Sequence, residues 1–380
     1  DGTELELFAD GTRNILEVAV SPLLDGFARD NTNDGGGWDI RLHHFSGRTQ
    51  HGYPRLFKNF PDEIIQPLAD YGGGSGCGAA WIDEPGIPSR WNNAPFTADW
   101  GTEWIYHHGL TPRGATFAAS QESFAKLPRV TDLDVDGMSA VYAASWKGAS
   151  FTWVGPEVGF LVRATPKGYQ PEPLPDFANA PESELVRLLE SPSHRRRLAA
   201  QRALLRRPAP ASLSEGPVQA LIQLAQANSK PIASRVAAVF TLKQWLGARS
   251  TETIAAWIRD ETVAAWALRA LTDRSGELQA VPTAPIVGSL RSSDARVRKE
   301  AALALGQLGR PELGVALTPL LGDSDPIVAQ ATVHSLVQLR ADAACLAVVD
   351  DAEAPSARRA AALRVLQVRH DPVVVSALLD

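Results

Sequence analysis

The chain has few sulphur-containing residues. Among its 380 residues are only two cysteines, Cys77 and Cys345, and one methionine, Met138. The cysteines lie far apart in the sequence, so we do not expect a disulfide between them. No CxxC or CxxCH pattern is present, which excludes the common zinc and c-type haem motifs from this sequence. The cysteines therefore leave the redox compartment undecided.

Long apolar runs are also missing. No stretch approaches the roughly 18 uninterrupted apolar residues that a membrane-spanning helix needs, and no signal peptide is visible. The chain begins at Asp1 rather than Met, which is typical of a processed or truncated end. With 44% hydrophobic and 21% charged residues, the composition predicts a globular protein of two or three domains.

Positive charge is scarce in the first half of the chain. The overall net charge of -6 divides into -10 for residues 1–181 and +4 for residues 182–380. Neither half concentrates positive charge in the way that a nucleic-acid-binding surface requires. We therefore expect no nucleic-acid partner.

Residues 1–172 have the pattern of many short strands. Apolar runs with alternating or β-rich composition are separated by Gly, Asp, Asn and Pro, and Asp136-Gly137 is a strong turn signal. The predicted strands are ILEVAV (15–20), AAWID (79–83), WIYHHGL (104–110), AVYAASW (140–146) and GFLVRATP (159–166).

A repeat within this half indicates a propeller. The segment Thr111-Pro-Arg-Gly114 follows a Trp-Gly pair and a strand, and Thr165-Pro-Lys-Gly168 does the same 54 residues later. A repeat of roughly 50 residues built from short strands is typical of propeller blades. About three blades would fit here, whereas closed propellers have about four to eight. We therefore expect residues 1–172 to be the C-terminal blades of a β-propeller that begins upstream of Asp1.

Residues 182–380 have a helical period instead. After a Pro-rich linker over 173–181, helical segments alternate with short Ser, Asp and Pro breaks at a spacing of about 30 residues. The breaks at Asp294 and Asp325 are predicted to cap the helices that follow them. Helix pairs of this kind bury their apolar faces only by stacking, so we predict an α-solenoid of HEAT-like repeats.

The segment NTNDGGGWDIR, Asn31 to Arg41, allows two readings from its residues alone. Asn and Asp before glycines are typical of tight turns between strands. The same region is rich in the oxygen ligands that calcium prefers, and it begins like an EF-hand loop, but Arg41 stands where the bidentate Glu belongs. A calcium loop of another type stays open, with the candidate ligands Asp30, Asn31, Asn33, Asp34 and Asp39.

A third reading comes from the neighbouring motifs. GTRNILEVAVSP, ARDNTNDGGGWDIRL and QHGYPRLF resemble the quinoprotein sugar dehydrogenases, in which an Arg-Asn pair opens a strand before a Gly-rich acidic loop. In that family these elements line the top of a six-bladed propeller, where pyrroloquinoline quinone lies on a calcium ion. The resemblance implies that Arg13, Asn14 and the basic Lys147 contact the cofactor. It also implies that the catalytic histidine lies upstream of Asp1, so no catalytic residue is assigned here.

Nearly the whole chain resembles proteins of planctomycete-type bacteria that are described as membrane-bound dehydrogenases. RDNTNDGGGWD, GYPRLFKNFPDEI, LADYGGGSGCGA and TDLDVDG with ASWKGA carry this resemblance. In these proteins the propeller precedes HEAT repeats and often a c-type haem domain. The resemblance implies a periplasmic or secreted protein whose solenoid meets an electron acceptor such as cytochrome c.

Further residues are candidates for a central pocket. The histidine pairs His43-His44 and His107-His108 lack a zinc spacing, and on a strand the two rings of each pair point to opposite faces. The remaining pocket candidates are Trp38, His51, Tyr53, Asp99 and Asp132. The basic run from His194 to Arg207 is expected to be solvated or to contact acidic groups of the first half.

Two functions follow from these patterns. The first is a quinoprotein-like oxidoreductase that acts on a sugar or alcohol and uses the solenoid as an interaction scaffold. The alternative is a non-catalytic propeller that binds carbohydrate or protein, with the solenoid again as scaffold.

Overall fold

The computed structural model describes residues 5–32, 39–54, 60–148 and 155–379. The chain divides into two compact units, and the main division falls after Thr241, inside a helix. The first unit comprises Asp1–Ser46, Gln50–Arg113 and Phe117–Thr241. The second comprises Gly47–Thr49, Gly114–Thr116 and Leu242–Asp380. The domain boundaries predicted above stay a prediction.

The part of the chain before the linker forms antiparallel sheets. Its strands are β1 Ala9–Asp10, β2 Ala19–Val20, β3 Gly26–Asn31, β4 Ile40–Phe45, β5 Thr49–Gln50, β6 Ala69–Asp70, β7 Gly76–Ile82, β8 Ala94–Asp99, β9 Trp104–Arg113, β10 Thr116–Lys126, β11 Asp132–Val135, β12 Val141–Trp146 and β13 Gly159–Ala164. The sheet orders are β2-β3-β4-β6, β10-β9-β8-β7 and β11-β12-β13, with a small β1-β5 pair.

Four of the five predicted strands are confirmed as β7, β9, β12 and β13, whereas ILEVAV is extended only at its last two residues, in β2. The predicted turn at Asp136 is also confirmed. The Asp136 carboxylate accepts the N–H groups of Met138 and Ala140, so the side chain fixes the hairpin between β11 and β12.

The 54-residue repeat corresponds to equivalent places in two successive sheets. β9 and β13 are each the third strand of a meander, after β7-β8 and β11-β12 respectively. Gly114 and Gly168, which end the two TP-basic-Gly segments, both have positive φ angles. The repeat therefore marks a recurring antiparallel sheet. A closed ring of sheets is not found in the described part of the chain.

The sheets pack closely around strand β7. A Cβ atom on Gly76 would lie 2.8 Å from Cβ of Arg29 on β3, and one on Gly78 would lie 2.6 Å from Cα of Asp132 on β11. Real side chains do not reach such distances, so glycine is required at both positions. The N–H of Gly78 also donates to the carbonyl of Thr131 at 3.1 Å. β7 therefore contacts both neighbouring sheets.

An apolar core fills the space between the second and third sheets. Its centre is formed by Ile82, Phe96, Ile105, Val130 and Leu133, all less than a tenth exposed. Phe124 and Trp91 pack on its edge, and Phe124 lies edge-on to Phe96 with the ring centroids 5.0 Å apart. This core holds the sheets in the positions that the close approach of β7 defines.

A buried ion pair links the first two sheets. Arg29 on β3 donates from Nη2 to Asp99 on β8 at 2.9 Å, and the exposed fractions of the two side chains are 2% and 0%. Asp99 also accepts the backbone N–H groups of Ser75 and Thr102. The Arg29 guanidinium lies 4.8 Å from the ring centroid of Tyr106. The guanidinium and the two N–H groups satisfy the Asp99 carboxylate, which solvent does not reach.

The helical part follows the linker. Its helices are α1 Glu182–Leu188, α2 His194–Leu205, α3 Gly216–Gln226, α4 Ile232–Leu246, α5 Thr251–Ala256, α6 Ala264–Leu271, α7 Thr283–Ser289, α8 Ala295–Gln307, α9 Gly314–Leu317, α10 Pro326–Leu339, α11 Asp342–Asp350, α12 Ser356–Arg369 and α13 Pro372–Leu379. Short 3-10 helices occupy Pro61–Glu63, Ser89–Trp91, Gly247–Ser250, Trp257–Arg259, Ser275–Ala280, Pro311–Leu313 and Thr318–Gly322.

Helix α2 packs on the strands of the first unit. Arg195 pairs with Asp134, Arg197 donates to Asp83 at 2.6 Å, and Arg196 donates to the carbonyl of Gly137 at 2.7 Å. The expectation that the basic run contacts acidic groups of the first half is confirmed. Glu84, two residues after β7, is fully buried against the start of this helix. It accepts the N–H of Arg195 at 2.9 Å.

In the second unit the long helices stack in chain order. α8 packs against α6, α7 and α10, and α10 packs against α12. The two predicted caps are confirmed, because Asp294 accepts the N–H of Arg296 and Asp325 accepts those of Ile327 and Val328. No helix in the described part of the chain is both long and apolar enough to cross a membrane.

Replacing Asp294 with Ala should lower the free energy of unfolding of the second unit by about 1 kcal/mol, because the first turn of α8 loses its side-chain acceptor. Chemical denaturation followed by circular dichroism measures the change. Ser293→Ala is the matched control, since Ser293 is exposed and lies one residue before the cap. Equal unfolding curves for the two variants would contradict the capping role.

Replacing Arg29 with Met should destabilise the first unit by about 3–5 kcal/mol, because Asp99 then stays buried without its cation. Thermal unfolding measures the loss. Arg90→Met is the control, since Arg90 is exposed and lies 3.6 Å from the exposed Glu122, so its loss should cost less than about 1 kcal/mol. If the two variants unfold at the same temperature, the buried pair does not hold the sheets together.

Replacing Glu84 with Gln should raise stability above pH 7 and leave it nearly unchanged below pH 5. Burial raises the pKa of Glu84 to about 7 in the folded chain, against 4.5 for a free side chain. The folded state therefore binds this proton more tightly, and its stability falls as pH rises from 4.5 to 7, by up to about 3 kcal/mol. Unfolding at pH 5 and pH 8 tests this, with the exposed Glu312→Gln as control. A pH dependence that Glu84→Gln leaves intact would refute it.

Candidate functional site

Asp30 is the centre of a buried polar cluster at the end of β3. Its side chain is fully buried and accepts the backbone N–H of Asn14 at 2.8 Å and that of Arg13 at 3.1 Å. Arg13 Nη1 lies 3.4 Å from the carbonyl oxygen of Asn31, to which it donates. The structure therefore joins the Arg13-Asn14 pair to the start of the oxygen-rich segment, across a sequence separation of 16 to 18 residues.

Two buried histidines continue this cluster. His43 on β4 places Nε2 3.6 Å from Oδ2 of Asp30, an electrostatic contact slightly longer than a hydrogen bond. The ring centroid of His51 lies 4.4 Å from that of His43. We name Arg13, Asn14, Asp30, His43 and His51 the Asp30 cluster.

The electrostatics of the Asp30 cluster favour one carboxylate and two neutral imidazoles. Burial lowers the pKa of His43, although the neighbouring Asp30 acts in the opposite direction. Burial, with a smaller effect of His43, lowers the pKa of His51 well below its usual value. Burial alone would raise the pKa of Asp30. The contacts with His43 and with the N–H groups of Asn14 and Arg13 outweigh burial, so the pKa is lowered. Asp30 is the charged member of the cluster.

The paired histidines on β4 point to opposite faces, as predicted. His43 meets Asp30 and His51, whereas His44 contacts Asp25 at 3.1 Å and stacks on Phe27 with ring centroids 5.2 Å apart. On β9, His108 lies 2.7 Å from the hydroxyl of Thr97, and His107 packs edge-on against Phe96. Among these four rings, only His43 belongs to the Asp30 cluster.

The other predicted site residues lie in different surroundings. Asp99 is fully buried and bound to Arg29, and Lys147 is exposed after β12. Tyr53 is half-buried and donates its N–H to Gly11, whereas Asp132 is exposed beside Glu17. Asp39 is half-buried, and its carbonyl accepts from Thr32. Asn33, Asp34 and Trp38 lie outside the described residues.

Three of the predicted calcium ligands, Asp30, Asn31 and Asp39, lie in the described part of the chain. Among the residues that the structure describes, no group of three or more His, Cys, Asp or Glu side chains could hold a metal ion. Asp30 also accepts the backbone N–H groups of Arg13 and Asn14. Asn33 and Asp34 lie outside the described residues, so the calcium site stays a prediction.

The sequence patterns did not predict the contact of His43 with Asp30 or that of Glu17 with β7. His43 was one member of a histidine pair without diagnostic spacing, and its position beside Asp30 follows from the β3-β4 register, in which Ala28 faces His43 and Asp30 faces Arg41. Glu17 accepts the N–H of Ala79 at 2.9 Å. Burial and the neighbouring Asp132 raise the pKa of Glu17 to about 7. No local sequence pattern marks either residue.

Comparison with known proteins finds similarity in the helical part. Residues 283–367 match the family model of HEAT repeats. This segment contains the helices α7 to α11 and most of α12. Solenoids of this kind commonly present extended surfaces that bind other proteins. No curated protein matches the chain.

Two solved structures are distantly similar to parts of this chain. A chain assigned provisionally as an oxidoreductase (glucose dehydrogenase) from Thermus thermophilus has 17% identity and a TM-score of 0.35, over 42% of this chain and 47% of that one. An engineered protein has 18% identity and a TM-score of 0.33, over 52% of this chain and 62% of that one. The present chain thus spans less than two thirds of either structure.

Proposed function

We propose that this chain is part of a quinone-dependent oxidoreductase that acts on a sugar or alcohol. In this proposal the sheets of the first unit carry the cofactor, and the HEAT repeats bind a protein partner such as cytochrome c. The proposal includes a periplasmic or secreted location. It also treats the successive sheets as consecutive blades of a larger propeller.

The observation that carries the proposal is the contact between Arg13-Asn14 and Asp30-Asn31. These are the two segments on which the resemblance to quinoprotein sugar dehydrogenases depends, and they are separated in sequence. The Asp30 carboxylate accepts both backbone N–H groups of the Arg-Asn pair, which fixes the direction in which the two side chains leave the backbone. Contact between the segments is what a shared cofactor site requires.

Four members of the Asp30 cluster have a defined role in this proposal. Arg13 is exposed and cationic, so it suits the anionic oxygens of a quinone cofactor, and the half-buried Asn14 can donate a hydrogen bond to them. Asp30 positions both residues through their backbone. His43 is kept neutral by burial and supports the Asp30 carboxylate from the other side.

The bound quinone would supply the two-electron acceptor for oxidation of the substrate alcohol. Calcium would belong to the same site through Asn33 and Asp34, with Asp39 as a further oxygen ligand. Lys147 is proposed as a second cation for the cofactor.

Binding of pyrroloquinoline quinone to the chain tests the proposal directly. Titration in the presence of calcium, followed by calorimetry, should show saturable binding, and Arg13→Ala should weaken it by about tenfold because a charge-assisted hydrogen bond is lost. Asp30→Asn should weaken it as well, since the Arg13-Asn14 backbone loses its anionic acceptor. Arg113→Ala is the matched control, an exposed arginine on β9 outside the Asp30 cluster.

Sugar-dependent dye reduction then separates the two functional hypotheses. Quinone binding with reduction of the dye supports an oxidoreductase. Calcium or carbohydrate binding with a flat dye trace and no quinone binding would favour the non-catalytic binding module. Quinone binding that Arg13→Ala and Arg113→Ala affect equally would contradict the assigned site.

A further inference from the structure

A second site lies within the first unit, away from the Asp30 cluster. A cavity of about 450 Å³, open to solvent on one side, is lined by the segment around β2, by β7 and by helices α2 and α4. This volume is within the range of about 300–1,000 Å³ that is typical of small-molecule sites. None of the five residues of the Asp30 cluster lines it. Ligand binding in this cavity is therefore independent of the proposed quinone site.

Three buried polar atoms on the lining residues have no hydrogen-bond partner. They are Nε1 of Trp81, Nε of Arg195 and Nδ1 of His194. Trp81 is only 9% exposed, and its indole nitrogen can act only as a donor, as can the Arg195 nitrogen. Buried donors without acceptors are costly, and two such donors on residues that line one cavity favour a ligand that carries an acceptor.

The charges around the cavity favour an anion of one negative charge. Arg195 and Arg197 are neutralised by Asp134 and Asp83. Arg202 lines the cavity and forms no ion pair with any residue that the structure describes. His194 is surrounded by positive charge: burial, together with Arg197, Arg195 and Arg202, lowers its pKa to about 3. One uncompensated arginine matches one carboxylate.

Glu17 offsets the positive charge of the cavity only in part. Glu17 is the sole carboxyl group of the described cavity wall besides Asp134. Burial and the adjacent Asp132 raise its pKa to about 7, so near neutral pH Glu17 is partly uncharged. A ligand that carried two or more negative charges would exceed the cation that is available.

The rest of the wall is apolar. Ala19, Val236, Ala237 and Phe240 line it, together with the ring of Trp81. Burial of apolar ligand surface against such a wall is favourable, at roughly 25 cal/mol per Å². A ligand that has only polar groups would leave this surface unused.

We propose that this cavity binds a small monocarboxylate with an apolar aromatic or aliphatic body. The carboxylate accepts from the Arg202 guanidinium and the unpartnered donors of Trp81 and Arg195. The apolar body packs on the wall formed by α4. The site is a binding site additional to the proposed oxidoreductase function and does not depend on it.

Benzoate and hexanoate are suitable probes, and benzyl alcohol and hexan-1-ol are their neutral counterparts. Calorimetry on the whole chain should show saturable one-to-one binding of both carboxylates. The alcohols should bind about tenfold more weakly or not at all, because they cannot pair with Arg202. Phthalate, with two carboxylates, should also bind about tenfold more weakly than benzoate. The indole N–H resonance of Trp81, assigned with Trp81→Phe, should shift on benzoate binding.

Three variants locate the site. Arg202→Ala should weaken benzoate binding by about tenfold, and Arg202→Lys should restore part of it. Arg206→Ala, just after the same helix, is the matched control, since Arg206 is exposed and does not line the cavity. Ala237→Leu should weaken binding by narrowing the cavity at its apolar wall. Because Arg202 is exposed, its replacement should leave the unfolding temperature unchanged and so separate lost binding from lost folding.

Several outcomes would overturn the proposal. If neither carboxylate binds, the cavity holds water only. If the alcohols bind as tightly as the carboxylates, the site is apolar and does not select an anion. If Arg202→Ala and Arg206→Ala have equal effects, binding occurs elsewhere. Failure of the quinone titration leaves these outcomes unaffected, since the two sites share no residue.

Discussion

The first unit depends on the close packing of strand β7 against its neighbours. Gly76 and Gly78 let the β7 backbone approach Arg29 and Asp132 to distances that no side chain would permit. Three consequences follow from this approach. Arg29 reaches the buried Asp99, Ala79 meets the carboxylate of Glu17, and Gly78 donates to the backbone of the next sheet. A larger residue at Gly76 or Gly78 would push the sheets apart and disrupt all three contacts.

Charge is then distributed according to solvent access. The acidic first half of the sequence contains carboxylates in three situations. Asp30 and Asp99 are buried, and N–H donors or a guanidinium satisfy their side-chain oxygens. Asp134 and Asp83 bind the basic helix α2. Glu84 is fully buried and disfavoured as an anion, since burial raises its pKa to about 7. Several acidic side chains of the first half therefore stabilise the packing of the first unit.

The proposed quinone site and the proposed carboxylate site use different physical means. In the Asp30 cluster, protein donors already satisfy the carboxylate, and Arg13 is an exposed cation beside it. In the cavity by α2, polar atoms of Trp81, His194 and Arg195 stay unmatched by protein. The first site is thus supported by the contact of two sequence motifs, and the second by unmet hydrogen-bonding capacity. The HEAT repeats add a surface of the kind that binds proteins.

The sequence alone determined a part of the local structure. Alternation and turn residues were sufficient for β7, β9, β12 and β13, the 54-residue repeat marked equivalent strands, and the helical period with Asp294 and Asp325 marked capped helices. These features depend on interactions between residues close in the chain. Only the tertiary structure decided that Asp99 meets Arg29, that His43 stands beside Asp30, and that Trp81 and Arg202 line one cavity. Such contacts join residues far apart in the sequence, and no local period records them, because they arise from how whole sheets and helices pack.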